Sequence, residues 1–480
     1  MALPDRSEIE GVLAVVAEQA RAYLEQVDSR PALHPDAEAT VRRFAGRLPD
    51  EGDGAVAALR QLWDRGLDAT LASSGPRCFH FVIGGVTPAA LGADILATVL
   101  DQPAYTWVSS PLGVELELLC LSWLKDLFGL PASLAGVFTT GATMANFVGL
   151  AAARQWWGER HGVDVAARGL SGLPPVPVFA GGFVHASDVK ACSMLGIGRE
   201  HVRIFAADAV GHVDLEALGR ALEGLGGAPA ILIASAGEVN AGEFDPIDAM
   251  ADLARRHGAW LHVDGAFGLF ARLSERTRRL VAGVERADSV TVDGHKWLNV
   301  PYDCGYAFVR DPILMRKAFA YGAAYLPAAD DPRPTLGAIG PESSRRARAL
   351  ATWATLRAYG RRGYCDMVER HLDLAQYLAS LVDAAPDLER LAPVPLNIVC
   401  FRSRPAGLPE EALNEHNRRL GEALLRDGRV YAGTTSFGGK TALRPAIANW
   451  RTRREDLDLL VAVVRELAAR KEARSGTGFP

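Results

Sequence analysis

Lys296 stands in "SVTVDGHKWLNVPYDCGYAFV" (289–309), after an apolar run, in a chain with six lysines and 46 arginines. If positive charge were all that position required, this bias would predict arginine; an ammonium, unlike a guanidinium, can lose its proton. Flanked by Trp297 and Leu298, a desolvated amine favours the neutral nucleophile that forms an imine with an aldehyde. Upstream, "WLHVDGAFG" puts Asp264 at the end of a predicted strand, with the small residues Gly265 and Ala266 beside it. A buried carboxylate there needs a cation, and a protonated pyridine nitrogen is one. "GVFTTGATMANFVGLAAAR" reads as strand, Gly/Thr turn and helix, whose first N–H groups, with the Thr140 and Thr143 hydroxyls, make a phosphate site. It lacks both the GKS/T of a Walker motif and GxGxxG. "FVHASDVKACSMLGIG" places His185 after another strand, where an imidazole can stack on a flat ring, with Ser187 and Asp188 as helix caps. Each feature has a plainer reading: a surface lysine, a capping aspartate, a Thr-capped helix, a structural histidine. In the order phosphate turn, His, Asp, Lys, each at a strand end, they describe a pyridoxal-phosphate (PLP) site.

The elements that must position them follow from periodicity. Residues 8–26 and 51–72 are helical in pattern, separated by "SRPALHPDAEA". From about residue 88, helices alternate with apolar runs at 136–140, 176–181, 201–206, 230–235, 259–264, 289–293 and 304–310. That alternation predicts an α/β fold with a mostly parallel, seven-stranded sheet covered on both faces. After 345 a long helical stretch leads to one strand, "PLNIVCFR", and a last helix, "REDLDLLVAVVRELAAR". The expected division is a helical N-terminal segment (1–87), a large cofactor-binding domain (88–345) and a small C-terminal α/β domain (346–480). The net charge of −5 and the lack of a basic block argue against nucleic acid. Six scattered cysteines give no metal-site spacing and suit a reducing compartment. Without a basic n-region or an uninterrupted apolar run of about 18 residues, a soluble, cytoplasmic protein is expected, with no membrane partner.

At these residues the chain resembles the group II pyridoxal-dependent decarboxylases, the aromatic-L-amino-acid and glutamate decarboxylase group within PLP fold type I (aspartate aminotransferase-like). The likeness runs from "FHFVIGGVTPAALGADIL" (79–96) to "LRPAIANW" (443–450), through "SSPLGVELELLCLSWLKDLFGLP", "RRARALATWATLRAYGRRGY" and, most specifically, "ADSVTVDGHKWLNVPYDCG". The resemblance implies PLP as cofactor, Lys296 as its imine lysine, Asp264 at the pyridine nitrogen and His185 on the ring. It also implies Ala266 beneath the ring and Gly141, Ala142, Thr143 and His295 around the phosphate. A homodimer with shared active sites, to which 79–112 contributes, is implied as well.

Some positions depart from the pattern. The family's mobile-loop tyrosine, some ten residues before an arginine pair, falls at Leu336 when counted from Arg345-Arg346, and no tyrosine lies between 326 and 358. Either Tyr321 or Tyr325 substitutes, or protonation works differently; in this superfamily, loss of the tyrosine goes with other outcomes such as aldehyde formation. Gly265, Gly294 and Val239 stand where alanine, proline and threonine are usual. Phe79, His80, Phe81 and Trp107, with Tyr325, are candidates for an aromatic-lined substrate pocket, or for packing at a dimer interface. Arg444 reads as a structural ion pair or as a partner for a substrate carboxylate. The expected activity is decarboxylation of an L-amino acid to the amine and CO2, with an aromatic substrate if those aromatic residues line the pocket. The alternatives are an aldehyde-forming oxidative deaminase or carbon–carbon lyase on the same cofactor, and a silent dimeric binding protein.

Overall fold

The computed structural model describes residues 5–323, 326–328 and 331–470. Its centre is a seven-stranded sheet in the order β1-β7-β6-β5-β4-β2-β3. The strands are β1 (Ala135–Thr139), β2 (Val178–Ala180), β3 (Val202–Ile204), β4 (Ile231–Ser235), β5 (Trp260–Asp264), β6 (Ser289–Asp293) and β7 (Gly305–Val309). Only β7 runs against its neighbours, β1 and β6. All seven lie within or beside the expected runs, and the mostly parallel sheet is as expected. Every residue of β4 to β7 is buried, which is why these segments read as continuous apolar runs and not as alternating ones. Each fully buried Val, Leu or Ile contributes about 1.5–3 kcal/mol, so the sheet is a rigid platform.

The carboxyl ends of β1, β2, β4, β5 and β6 share one edge, because these five strands point the same way. Open α/β sheets leave their ligand crevice at that edge. Helix Ala142–Arg160 crosses the sheet with small residues facing it. A Cβ on Gly149 would lie 2.8 Å from the His262 ring, so only glycine lets that ring and the helix meet.

A second core, built from residues such as Leu378, Phe401, Leu424 and Val464, underlies an antiparallel sheet ordered β10-β11-β9-β8. Its strands are β8 (Leu388–Arg390), β9 (Phe401–Ser403), β10 (Thr434–Phe437) and β11 (Lys440–Leu443). The sequence reading found one strand here where there are four. The β10–β11 hairpin turns on Gly438 and Gly439, both at positive φ (53° and 77°), as a two-residue turn between twisted strands requires. Phe79 packs into this second core, beside a bridge between Cys78 and Tyr431. The long helix Ala349–Ala384, broken at Gly360, rests first on helices Pro88–Leu100 and Pro111–Phe128, then on β8 and helix Arg454–Ala469. No helix among the described residues is long and apolar enough to cross a membrane.

Candidate active site

Lys296 is fixed by its backbone before its side chain is considered. Trp297 is fully buried, and its indole N–H donates to His371 Nδ1 at 2.7 Å. Asn299, at φ 59°, donates from Nδ2 to the carbonyls of Trp297 (2.8 Å) and Ala448 (2.9 Å). Asparagine accepts this left-handed conformation more readily than most residues. Gly84 lies so close that a Cβ on it would sit 1.6 Å from the Lys296 carbonyl oxygen. The turn therefore aims the amine at the strand-end crevice, where Nζ is 3.1 Å from Asp293 Oδ2 and 5.7 Å from the Phe267 ring centre. The other carboxylate oxygen, Asp293 Oδ1, accepts from the backbone N–H of Ala142 at 2.6 Å. One strand-end aspartate thus ties the lysine to the start of helix Ala142–Arg160.

That helix start has no side-chain cap of its own. Gly141 is at φ 155°, a Cβ there would come within 2.9 Å of His295 Cε1, and a Cβ on Gly305 would meet the Gly141 backbone at 2.6 Å. The ring of His295 is held by Tyr302, stacked at 4.1 Å and 22°. Thr140, Gly141, Ala142, Thr143 and His295 all line the crevice, so donors and a helix N-terminus converge on a space suited to a phosphate.

Asp264 accepts from Asn146 Nδ2 (3.0 Å, Oδ2) and from the Ala266 N–H (2.9 Å, Oδ1). Burial by itself would raise its pKa, but the Lys296 charge, the Asn146 donor, His185 and the Ala266 N–H outweigh that and hold it below the usual carboxylate range. Behind it runs a directed chain. Both Asn146 amide hydrogens are used, on Asp264 and on Ser187 Oγ (3.1 Å), so its oxygen must accept, and His262 Nε2–H donates to it (3.1 Å). His262 Nδ1 then accepts from Ser289 Oγ (2.8 Å), which accepts from the Trp260 indole (2.9 Å). At the other end Ser187 donates to His185 Nδ1 from its hydroxyl (2.7 Å) and its N–H (3.2 Å). The imidazole of His185 keeps a face open to the crevice, and burial lowers its pKa, favouring the neutral ring.

Lys296, Asp293, Asp264, His185 and the 140–143 turn line one cavity of about 440 Å³, together with Ala266 and Arg444. The donor set fits pyridoxal phosphate: a helix start with His295 beside it for an anion, an ionised buried carboxylate for a pyridinium, an aromatic side chain with a free face, and an amine within the same walls.

Of the proposed substrate residues, Phe81 lines the cavity and Phe79 does not, because it is buried in the second core. Trp107 lies outside it, donating to Glu115 Oε1 at 2.9 Å beside Arg333. Tyr325 lies outside the described residues. Arg444 makes no ion pair among the described residues, contrary to the plainer expectation; its Nη1 donates to the Val239 carbonyl at 3.0 Å. Leu336, where the loop tyrosine was expected, is buried in a single helical turn. Tyr321 hydrogen-bonds Ser343 and stacks near Tyr105 at a separate surface hollow. Gly294 is explained by Tyr306, whose hydroxyl would be 2.5 Å from a Cβ there. Sequence reasoning passed over Asn146, Asp293 and Tyr302. A lone Asn within an apolar helix face and an Asp three residues before the lysine were the available signals.

Residues 60–404 match the family model described as the pyridoxal-dependent decarboxylase conserved domain. The aromatic-L-amino-acid decarboxylase of Bacillus atrophaeus is 27% identical over 454 residues, covering 93% of this chain and 92% of its own. The cysteine sulfinic acid decarboxylase of Mus musculus is 31% identical, covering 80% of each. The crystal structure of Oryza sativa TDC with PLP and tryptamine superposes with a TM-score of 0.89 at 26% identity, covering 98% of this chain and 99% of that one. The chain accordingly belongs to the pyridoxal-dependent decarboxylases, PLP-dependent carboxy-lyases acting on amino acids.

Proposed function

We propose that this chain releases CO2 from an aromatic L-amino acid, with Lys296 as the residue that holds PLP, Asp264 at its pyridine nitrogen and His185 against its ring. The observation that carries the reading is the meeting of Lys296, Asp264 and His185 on one cavity that the start of helix Ala142–Arg160 also lines. Bound PLP supplies the electron sink that accepts the electrons of the broken Cα bond. The protein's part is orientation: Asp264, kept ionised, holds a proton on the ring nitrogen, and Gly141, Ala142, Thr143 and His295 hold the phosphate. Arg444, without an ion-pair partner among the described residues, is the cation that would meet the substrate's own carboxylate. Phe81, Phe183 and Phe267 on the cavity wall support an aromatic side chain. Relatives named for acidic amino acids and for diaminobutyrate make substrate choice the point to test.

A homodimer is part of this proposal. Ile95, Leu96, Val99 and Leu100 are 47–67% exposed on helix Pro88–Leu100, an apolar row that a second copy would cover. Trp107, outside this chain's cavity, would then face the partner. The six free thiols agree with a cytoplasmic setting.

One observation favours a second outcome. The buried Leu336 and the engaged Tyr321 leave no tyrosine of the 320–345 stretch on the cavity wall among the described residues. A relative is named phenylacetaldehyde synthase. The test loads the purified protein with PLP, supplies a panel of L-amino acids and follows CO2, amine, aldehyde and peroxide together. Amine equal to CO2 is expected, with aromatic substrates fastest. Aldehyde with CO2, ammonia and peroxide in equal amounts, at the expense of dioxygen and water, would replace this reading by decarboxylation coupled to oxidative deamination.

A further inference from the structure

Behind Asp264 lies a second carboxyl that the chemistry described so far does not use. Asp188, in the first turn of helix Ala186–Met194, has no exposed surface, and neither of its oxygens has a hydrogen-bond partner in good geometry, the nearest donors being the backbone N–H groups of His185 and of Asp188 itself. Its titratable neighbours are the Asp264 carboxyl beside it, His262, whose Nε2 is 3.6 Å from Asp188 Oδ1, and Cys192 one turn along the helix. His185 and Lys296 lie beyond Asp264.

A carboxylate without well-aligned donors in such a place is not stable as an anion, and two carboxyls sharing a dry site settle as one ionised and one protonated. The local donors decide which is which. Asp264 has Asn146, the Ala266 N–H and the Lys296 charge on its side; Asp188 has none of them. The directions agree: burial and the Asp264 charge push Asp188 well above the usual carboxylate range, while Asp264 lies below it. At 3.6 Å an Asp188–His262 ion pair is the competing arrangement, but burial pushes His262 down to about 4, which keeps its ring neutral. The proton on Asp188 then needs an acceptor. His262 Nε2 already carries the hydrogen given to Asn146, so it cannot accept, whereas the Asp264 carboxylate lies within hydrogen-bond reach of Asp188.

We propose that Asp188 is a protonated positioning residue that donates its hydrogen to the rear of Asp264, fixing that carboxylate and lowering its basicity towards the cofactor's pyridine nitrogen. The second half rests on the reading of Asp264 given under Proposed function; the first half concerns this chain alone. With three donors on Asp264, the strength of the electron sink is set from behind the site, by a residue that touches neither cofactor nor substrate.

Two experiments test it. In the apo protein, urea unfolding of the parent and of Asp188→Asn is compared between pH 5 and pH 7. The unfolded chain releases this proton near pH 4 and the folded chain keeps it, so the parent's folded-to-unfolded ratio should fall relative to the variant by up to tenfold per pH unit. A constant difference across that range would mean an ionised Asp188 and would overturn the proposal. In the PLP-loaded protein, the ring-nitrogen titration is followed with ¹⁵N-labelled cofactor for Asp188→Asn, which keeps a neutral donor, and Asp188→Val, which does not. The Asn variant should titrate as the parent does, and the Val variant at higher pH. Equal behaviour of the two variants would reduce Asp188 to packing. Loss of lysine-bound cofactor absorption in Lys296→Ala separately tests the reading on which the second half rests.

Discussion

Replacing Asn146 by leucine, similar in size and fully buried, should damage both the fold and the cofactor site. Three bonds depend on this amide: donation to Asp264 Oδ2 at 3.0 Å, donation to Ser187 Oγ at 3.1 Å and acceptance from His262 Nε2 at 3.1 Å. A hydrogen bond to an ionised group is worth about 1.5–3 kcal/mol, and a buried N–H left without an acceptor costs about 1–3 kcal/mol. Because the groups form one network these figures do not simply add. A loss of about 3–5 kcal/mol is expected, out of the roughly 5–15 kcal/mol that stabilises a typical domain. Urea unfolding of the apo protein at pH 7 measures it. A second signature distinguishes this network from mere packing. Asp264 has a depressed pKa, so its contribution is present above the unfolded value near 4 and is lost as pH falls through the folded one. Without Asn146 the folded pKa rises and acid destabilisation begins at higher pH. A variant that loses less than about 1 kcal/mol, with an unmoved acid limb, would refute the reasoning.

Other predictions are shorter. Lys296→Arg keeps a cation opposite Asp293 but offers no amine for an imine; it should abolish turnover and the visible absorption of bound cofactor, followed by spectroscopy. Gly84→Ala, which sets a methyl on the Lys296 carbonyl, should cost at least about 1–3 kcal/mol and weaken PLP binding, measured by unfolding and cofactor titration. His371, fully buried with Trp297 donating to it, is pushed down to about 3 by burial. The unfolded chain therefore takes its proton first, and stability should fall as pH drops from about 6.5 towards 3, by up to tenfold in the folded ratio per unit, an effect missing in His371→Gln. Val99→Asp on the exposed row of helix Pro88–Leu100 should turn the proposed dimer into monomers in sedimentation without unfolding the chain.

The large sheet was legible because its strands are short, mostly apolar and bounded by helical pattern, a signal that burial of β4 to β7 on both faces imposes on sequence. The second sheet was not, because its strands are three or four residues long and β10 is half exposed; only the Gly438-Gly439 pair marked a turn. The site divides in the same way. Lys296, Asp264 and His185 are charged or titratable residues at strand ends, and they stand out against their surroundings. Asn146 and Asp293 act through partners 118 and 151 residues away, Asp264 and Ala142, and spacing along the chain holds no trace of such pairs. Phe79 and Trp107 were left with two readings for a related reason: aromatic character fits a pocket, a core and an interface equally well, and only the path of the chain decides.

The same path explains why the lysine, and not an arginine, can be kept here at little structural cost. Asp293 gives one oxygen to the Ala142 N–H and the other to Lys296, so the helix start stays anchored when the amine leaves. A guanidinium would occupy the aspartate with a planar fork and compete with that N–H for Oδ1. An ammonium is a point donor on a flexible stem, which can make and break one contact without disturbing the other. The arrangement thus separates a permanent structural bond from an exchangeable one on a single carboxylate. The Asn146 network likewise gives Asp264 permanent partners on the side away from the cavity and leaves the cavity side for a ligand.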